Sequence, residues 1–403
     1  MELQQLVMSD SVVYIVTLSL VLVLSPHLSR FLHLPTAPIE IIIGSILAFF
    51  GAISADESNF SLLAEIGFLY LMFLAGLEVN LKSILKMPKI YIIQSLYFIL
   101  VLWLLALIFG LIFDLSVMLI VILPLISIGL LATLSKEYGK EVRWIKIAFL
   151  VGTIGEVISI TALTISEASS SLNYDELLYK IALLMIFLSV VLLLYALFRI
   201  VFWWYPELKT FLMPKEDLKY QDLRLSMGIF FIMIAIMKQL HLELAFGAFV
   251  AGLFISTFFH HKKGLEEKIS SFGFGFLVPI FFIHVGAAFD LKNIFIMEVL
   301  IKTALLLGIM FTIRILSAYT LTFLIGKTNA ILVSFALSMP LTLMIAVATI
   351  GHDKNMIMEF DYYAVILASL LEVIIAMIAI KIMAKVNKKV KQKLKFKKFN
   401  QRF

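Results

Sequence analysis

Cysteine is absent from the 403 residues, and charge is scarce: 15% are Asp, Glu, Lys or Arg, against 62% hydrophobic. The first absence excludes disulfides and thiolate-held metal. The second excludes an ordinary soluble domain, which is about one-quarter charged and about half apolar. Soluble-enzyme signatures are missing as well, with no phosphate-binding glycine loop, no HExxH, no G-x-S-x-G and no cysteine nucleophile. The amino terminus, MELQQLVMSD, lacks the basic n-region of a signal peptide, so the first apolar run is expected to be retained. What remains is the composition of an all-α polytopic membrane protein, not an enzyme and with no call for a cofactor.

A helix needs about 20 apolar residues to cross the bilayer core. That rule places spans near 11–28, 37–52, 61–79, 89–113, 115–135, 145–166, 176–201, 221–240, 243–259, 272–288, 293–326, 329–350 and 360–383. The total is about thirteen, with the second, ninth and tenth short enough to be re-entrant or broken. The lysine-dense segment AKVNKKVKQKLKFKKFNQRF supplies the orientation. Beside a span it is expected to lie cytoplasmic against anionic lipid, and no recognition fold accompanies it to suggest nucleic acid.

With that end inside, an odd count puts the amino terminus outside. The inside loops then carry Lys82, Lys86 and Lys89, or Lys136, Lys140, Arg143 and Lys146, while the outside loops carry Asp56, Glu57, Asp114, Asp175, Asp290 and Asp353. This alternation is the one that the Lys/Arg bias of membrane proteins requires. It predicts a transmembrane domain over 1–387 and a basic cytoplasmic tail over 388–403. Inverted repeats of about 11–166 and 221–383, joined by a linker helix at 176–201, are compatible with it.

Polar groups inside these runs are few. In FLVGTIGEVISI (149–160), Glu156 shares a helical stripe with Gly152, Gly155, Ser159, Ala162 and Ser166, a face too polar for lipid. Either the glycines serve close packing around a neutral or base-paired Glu156, or the acid is functional; intramembrane acids are costly enough to favour function. Thr133 and Ser135 end the fifth span, and hydroxyls there either bond their own backbone or face a ligand. Pro340 interrupts FALSMPLTLMIAVATIG, where freed carbonyls and the flanking Ser338 and Thr342 offer oxygens to a cation. Arg314 lies deep in the eleventh span and needs an acid or carbonyls, Glu156 being the obvious candidate, whereas Lys302 is near that span's outer end. Glu65 and Glu78 read as structural, His284 as a packed histidine, and Gly247, Ala248, Ala251 and Gly252 as a helix-packing face. Under the repeat, Glu372 becomes a loose counterpart of Glu156.

Three longer segments carry a resemblance. LAEIGFLYLMFLAGLEVNLKSILK (63–86), FGAFVAGLFIS (246–256) and VPIFFIHVGAAFDL (278–291) resemble, in order, signatures of the monovalent cation/proton antiporter-2 family, including its Kef-type membrane domains. The similarity runs from about residue 10 to 383. It implies exchange of Na⁺ or K⁺ for protons across an inner or plasma membrane, by an elevator-like movement in a homodimer. It also implies a fold with two crossing, broken helices, here the fifth and twelfth spans. Thr133 matches the threonine of the first unwound segment, Glu156 the ion-binding aspartate, and Arg314 the buried base.

The family shows Asp-Asp, Asn-Asp or Gln-Asp where this chain has Gly155-Glu156, so one carboxylate is present in place of a polar pair. The segment around Pro340 likewise lacks the family's acidic or glycine-rich pattern. Kef-type relatives also carry a nucleotide-binding domain, which is not expected here in cis. The resulting expectation is one-for-one, electroneutral exchange at Glu156, with Thr133, Ser135 and Ser159 as further cation or proton ligands and Arg314 holding the empty carboxylate. Ser338, Thr342, Glu78 and Glu372 are secondary candidates, and no metal is expected beyond the transported ion. A non-transporting sensor or assembly subunit that kept the fold is the alternative. Symport of an organic anion would need more buried bases than Lys302 and Arg314.

Overall fold

Apolar runs with few interior breakers form helices because each backbone donor then finds its acceptor within the segment, the only arrangement a bilayer core tolerates besides a closed barrel. The computed structural model describes residues 10–32, 35–55, 57–78, 87–128, 130–139, 142–169, 174–205, 207, 220–242, 244–259, 264–288 and 296–400. Among these there are helices and no strand. In order they are α1 Asp10–Leu32, α2 Thr36–Phe49, α3 Ser58–Glu78, α4 Lys89–Ile112, α5 Val117–Ile122, α6 Leu131–Tyr138, α7 Arg143–Ser169, α8 Tyr174–Trp204 and α9 Gln221–Gln239. There follow α10 Leu244–Phe259, α11 Leu265–Phe272, α12 Val278–Ala287, α13 Met297–Ala318, α14 Thr322–Ile325, α15 Lys327–Leu337, α16 Leu341–Asp353 and α17 Glu359–Asn400. A π-helical turn, Gly273–Leu277, joins α11 to α12.

Each expected run coincides with a helix or an interrupted pair. By length and composition six described helices can cross a membrane, or up to seven if the pair α15–α16, bent by 42°, counts as one span. The expected total of about thirteen therefore depends on counting the shorter and interrupted helices too. The tenth run, expected to be short, is longer: Leu265–Ala287 continues through the π turn. Its first two turns, LEEKISSF, are amphipathic, so a scan for apolar length passes over them. Lys82, Lys86, Lys140, Asp56 and Asp290 lie outside the described residues, as do the side chains of the 388–403 tail, whose backbone continues α17 to Asn400.

The chain divides into two compact units, Met1–Leu81 with Glu167–Ile296, and Lys82–Ser166 with Met297–Phe403. In the first, α3 packs on α10 and α2 on α12, and both crossings are built from glycine. A Cβ on Gly76 would run into the Phe249 carbonyl, and one on Gly252 into the Phe73 carbonyl. The α2–α12 crossing has the same reciprocity, Gly44 against Ile283 and Gly286 against Ile41. Ser45 Oγ reinforces it by donating to Gly286 O at 2.8 Å. The segments 63–86, 246–256 and 278–291 supply Gly76, Gly252 and Gly286 to these contacts, whereas Gly44 of α2 lies outside them.

In the second unit α13 and α17 pack together and hold α15 and α16 between partners, while α4 lies on α13. One face of α4 buries Phe98, Leu102, Ala106 and Gly110; the opposite face exposes Leu96, Leu100, Leu104, Leu107 and Leu111 at helical spacing, a surface suited to lipid. The interrupted helices meet half to half, α5 against α16 and α6 against α15.

Gly76→Val is expected to destabilise the protein by about 1–3 kcal/mol, the usual cost of overpacking. Thermal unfolding in detergent measures this, with Gly228→Ala, whose Cβ would meet nothing within 4 Å, leaving the midpoint unchanged.

Candidate functional site

Proline supplies no amide and clashes with the preceding turn, so it ends helices. In VMLIVILPLISIGLL, Pro124 stops α5, and residues 123–128 lie outside any helix before α6 begins at Leu131. Backbone groups in such a stretch must be satisfied by protein, and successive residues are tethered to two helices, α13 and α7. The Leu125 carbonyl accepts from Arg314 Nη2 of α13 at 2.8 Å. The Ile126 amide donates to Ser159 Oγ of α7 at 3.1 Å. Ser127 Oγ donates to Glu156 Oε1 of α7 at 2.9 Å, and the Ile128 backbone also bonds that carboxyl group.

Glu156 is 1% exposed, and its Oε2 has no hydrogen-bond partner among the described residues. No base is paired with it there. Arg314, fully buried, gives Nη1 to Glu372 Oε1 of α17 at 2.9 Å and to Met310 O at 3.2 Å. The expected Arg314–Glu156 pair is thus corrected: the guanidinium is claimed by Glu372 and by the Leu125 carbonyl. Lys302 is claimed in the same manner, by Asp361 at 2.8 Å and Glu298 at 3.2 Å.

Glycine in the FLVGTIGEVISI run has a specific neighbour. A Cβ on Gly155 would stand 2.6 Å from Ile126 Cδ1, and one on Gly152 would stand 2.6 Å from Ile128 Cγ2 and 3.5 Å from Leu337 Cδ2. Ile126 and Ile128 after the break and Leu337 at the end of α15 therefore press directly on the glycine face of α7. Ile126 fills the space that a larger residue 155 would need.

The other expected residues are distributed as follows. Ser159 is buried and caps the Ile126 amide. Thr133 and Ser135 lie in α6, beyond the non-helical stretch; Ser135 is buried, while the Thr133 side chain lies outside the described part of the structure. At the second break Pro340 precedes α16, Thr342 is half-buried in its first turn, and buried Ser338 donates Oγ to Ser334 O at 3.0 Å. The Ser334 hydroxyl is buried with no partner among the described residues. Glu78 ends α3 in the first unit, whereas Glu156, Arg314 and Glu372 belong to the second. His284 packs edge-on against Phe60 and bonds Ala55 O, as a structural histidine does.

Sequence reasoning missed Ser127, which lies three residues after Pro124 and two before Gly129. Those two breakers inside an apolar run were the available signal for an unwound segment. Chemically the site offers one carboxylate oxygen without a partner among the described residues, a hydroxyl and non-helical backbone, enclosed in apolar surroundings. Such a set suits a proton or a small monovalent cation; among the described residues no group of three or more His, Cys, Asp or Glu could hold a metal ion.

Comparisons agree with this architecture. The transmembrane model of the sodium/hydrogen exchanger family matches residues 15–386. The chain is 29% identical over 386 residues to a putative Na(+)/H(+) antiporter, YjbQ, of Bacillus subtilis (strain 168), covering 90% of this chain and 61% of that relative. It is 27% identical over 293 residues to probable Na(+)/H(+) antiporter 3 of Methanocaldococcus jannaschii, covering 70% of this chain and 72% of the relative. The chain thus spans 61% of the first relative's length and 72% of the second's. In fold it is similar to the sodium proton antiporter MjNhaP1 from Methanocaldococcus jannaschii at pH 8, with a TM-score of 0.66 and 17% identity, over 94% of this chain and 99% of that one.

Glu372→Gln leaves Arg314 buried without its acid, a loss expected to cost about 3–5 kcal/mol. Replacing both, as Arg314→Met with Glu372→Leu, is expected to recover much of that stability. Thermal unfolding of the two variants decides it, and equal losses would show that the pair itself is not the source.

Proposed function

The chain belongs to the sodium/hydrogen exchanger family, and from that premise we propose that it is a secondary antiporter exchanging Na⁺ or K⁺ for protons at Glu156. The observation that carries this reading is the buried Glu156 carboxyl, with Ser127 on Oε1 and no hydrogen-bond partner for Oε2 among the described residues. A bare carboxylate in an apolar interior is costly unless a proton or cation neutralises it. One acid that accepts either ligand, but not both, couples the two fluxes without a separate gate. Ser127 and the non-helical backbone of 123–128 replace part of the cation's hydration, with Thr133 and Ser135 on the adjoining helix as further candidates.

Because Arg314 is held by Glu372, it is not available to neutralise an empty Glu156. The empty carrier is then penalised, and exchange runs one for one without net charge. Neither described base of α13 is free to receive an organic anion, which weighs against anion symport. The division into two units supports an elevator-type movement in which the unit holding Glu156 travels as one body.

The reading also includes inverted repeats over about 11–166 and 221–383, which would equate α2 with α10 and α3 with α11–α12. The reciprocal glycine contacts α2–α12 and α3–α10 support them, since such a repeat converts one contact into the other. We further assign a homodimer in an inner or plasma membrane with the 388–403 tail cytoplasmic and the amino terminus outside.

Liposomes with an imposed pH gradient, given Na⁺, K⁺ or Li⁺ in turn, test the proposal. Cation-dependent proton flux is expected from the native chain and none from Glu156→Gln. Ser127→Ala should raise the apparent KM for the cation about tenfold, since a hydrogen bond to a charged group is worth about 1.5–3 kcal/mol. Undiminished flux in Glu156→Gln would move the site elsewhere; no flux with any cation would favour a sensor or assembly role. In a separate measurement, clamping the membrane potential across its range should leave the exchange rate unchanged, and a rate that follows the potential would refute one-for-one stoichiometry.

A further inference from the structure

Glu40 is another acid buried in the apolar interior, and the exchange site makes no use of it. It lies in α2 of the first unit, 3% exposed, four residues or about 6 Å along the axis from the helix start at Thr36. Ser25 Oγ of α1, itself buried, donates to Glu40 Oε1 at 3.1 Å. The next residue, Pro26, sits inside α1 and has no amide to give, so the Leu22 carbonyl one turn back loses its helical donor. The α1–α2 contact thus combines a carboxyl group, a hydroxyl and a helix opened by proline.

Neutralising charge is not at hand. Among the described side chains of elements packed against α2, the titratable groups are His27 and Arg30 of α1, both exposed, and His284 of α12. His284 Nε2 is engaged with Ala55 O at 3.1 Å. α2 contains no other ionisable residue. An acid in these surroundings, without a base, has to take its counter-charge from solution.

We propose that Glu40 is a proton-binding site separate from the exchange site, and that gain or loss of its proton sets how firmly α1 is held to α2. The two sides of α2 are unequal. Gly44, Gly286 and the Ser45 hydrogen bond fix it to α12 at backbone contact. Towards α1 the polar contact is Glu40 with Ser25, beside an apolar cluster that contains Val21 of α1 and has Ile43 and Leu47 of α2 packed against it, and the outer face of α1 exposes Ile15, Leu20, Val23 and Leu24. When Glu40 is neutral, the hydroxyl bond and the surrounding apolar contacts hold α1 in place. When it is ionised, the charge must draw in water, and α1 is the partner that yields. Glu40 lies near the end of α2 that follows Arg30, so its proton exchanges with the aqueous phase on that side.

Infrared difference spectroscopy of the full chain in liposomes, titrated over pH, reads the carboxylic C=O stretch directly. The expected result is a protonated-carboxyl band that follows pH, is absent from Glu40→Gln, persists in Glu156→Gln and is unmoved by Na⁺ or K⁺. Ser25→Ala, which removes the hydrogen bond without touching the acid, should shift that band, and serves if Glu40→Gln fails to fold. A Glu40→Gln spectrum identical to the native one, or a band that does not change with pH, would overturn the proposal. So would a band lost on adding cation, which would mark Glu40 as part of the exchange site. Because the readout is spectroscopic, it stands whether or not the liposome assay detects antiport.

Discussion

A stretch of unwound backbone inside an apolar unit has to be satisfied by its protein neighbours, because lipid offers no hydrogen bonds. Residues 125–127 meet that requirement one after another: a guanidinium on the Leu125 carbonyl, a serine hydroxyl on the Ile126 amide, and Ser127 reaching Glu156. The rest of the second unit is arranged around this need. α13 contributes Arg314, α17 contributes the acid that makes a buried arginine tolerable, and α7 contributes both the Ser159 cap and the acid that Ser127 touches.

This arrangement divides labour between two buried acids that look alike in sequence. Glu372 is bound to a permanent cation and, through it, to the backbone of the break, so it serves geometry. Glu156 is left with neutral partners, the Ser127 hydroxyl and the Ile128 backbone, and under the proposed function its charge state varies with what solution supplies. Had Arg314 paired with Glu156, a cation or proton would have had to displace a salt bridge to bind. With the base engaged elsewhere, the ligands of the proposed exchange would compete only with each other.

The apolar runs disclosed the helices nearly to their ends, because apolar length is what a membrane selects and what the eye detects. The first two turns of α11 escaped that reading, since Glu266, Glu267 and Lys268 make it amphipathic. The family signatures were legible for a physical reason: their glycines bring helix backbones into contact in α2–α12 and α3–α10, and no other residue fits there. They identify the scaffold of the first unit, however, and the acid–base pairing lies in the second. Glu156 was legible as a lone intramembrane acid on a small-residue stripe. Its partner was not, because pairing between spans far apart in sequence depends on helix rotation, which one chain's residue types do not specify. Arg314 had two buried acids to choose from, and only the fold says which.

The fit between Gly155 and Ile126 has a consequence for how this site changes over generations. A side chain at 155 and the isoleucine at 126 claim the same volume. A larger or polar residue at 155 is therefore obstructed while Ile126 stands, and a smaller residue at 126 alone leaves a void beside the carboxyl. The two positions can be exchanged only in concert or by way of a poorly packed intermediate. The single-acid form of the site is in that sense a local trap: substitutions one at a time meet a barrier, even where the combination would fit.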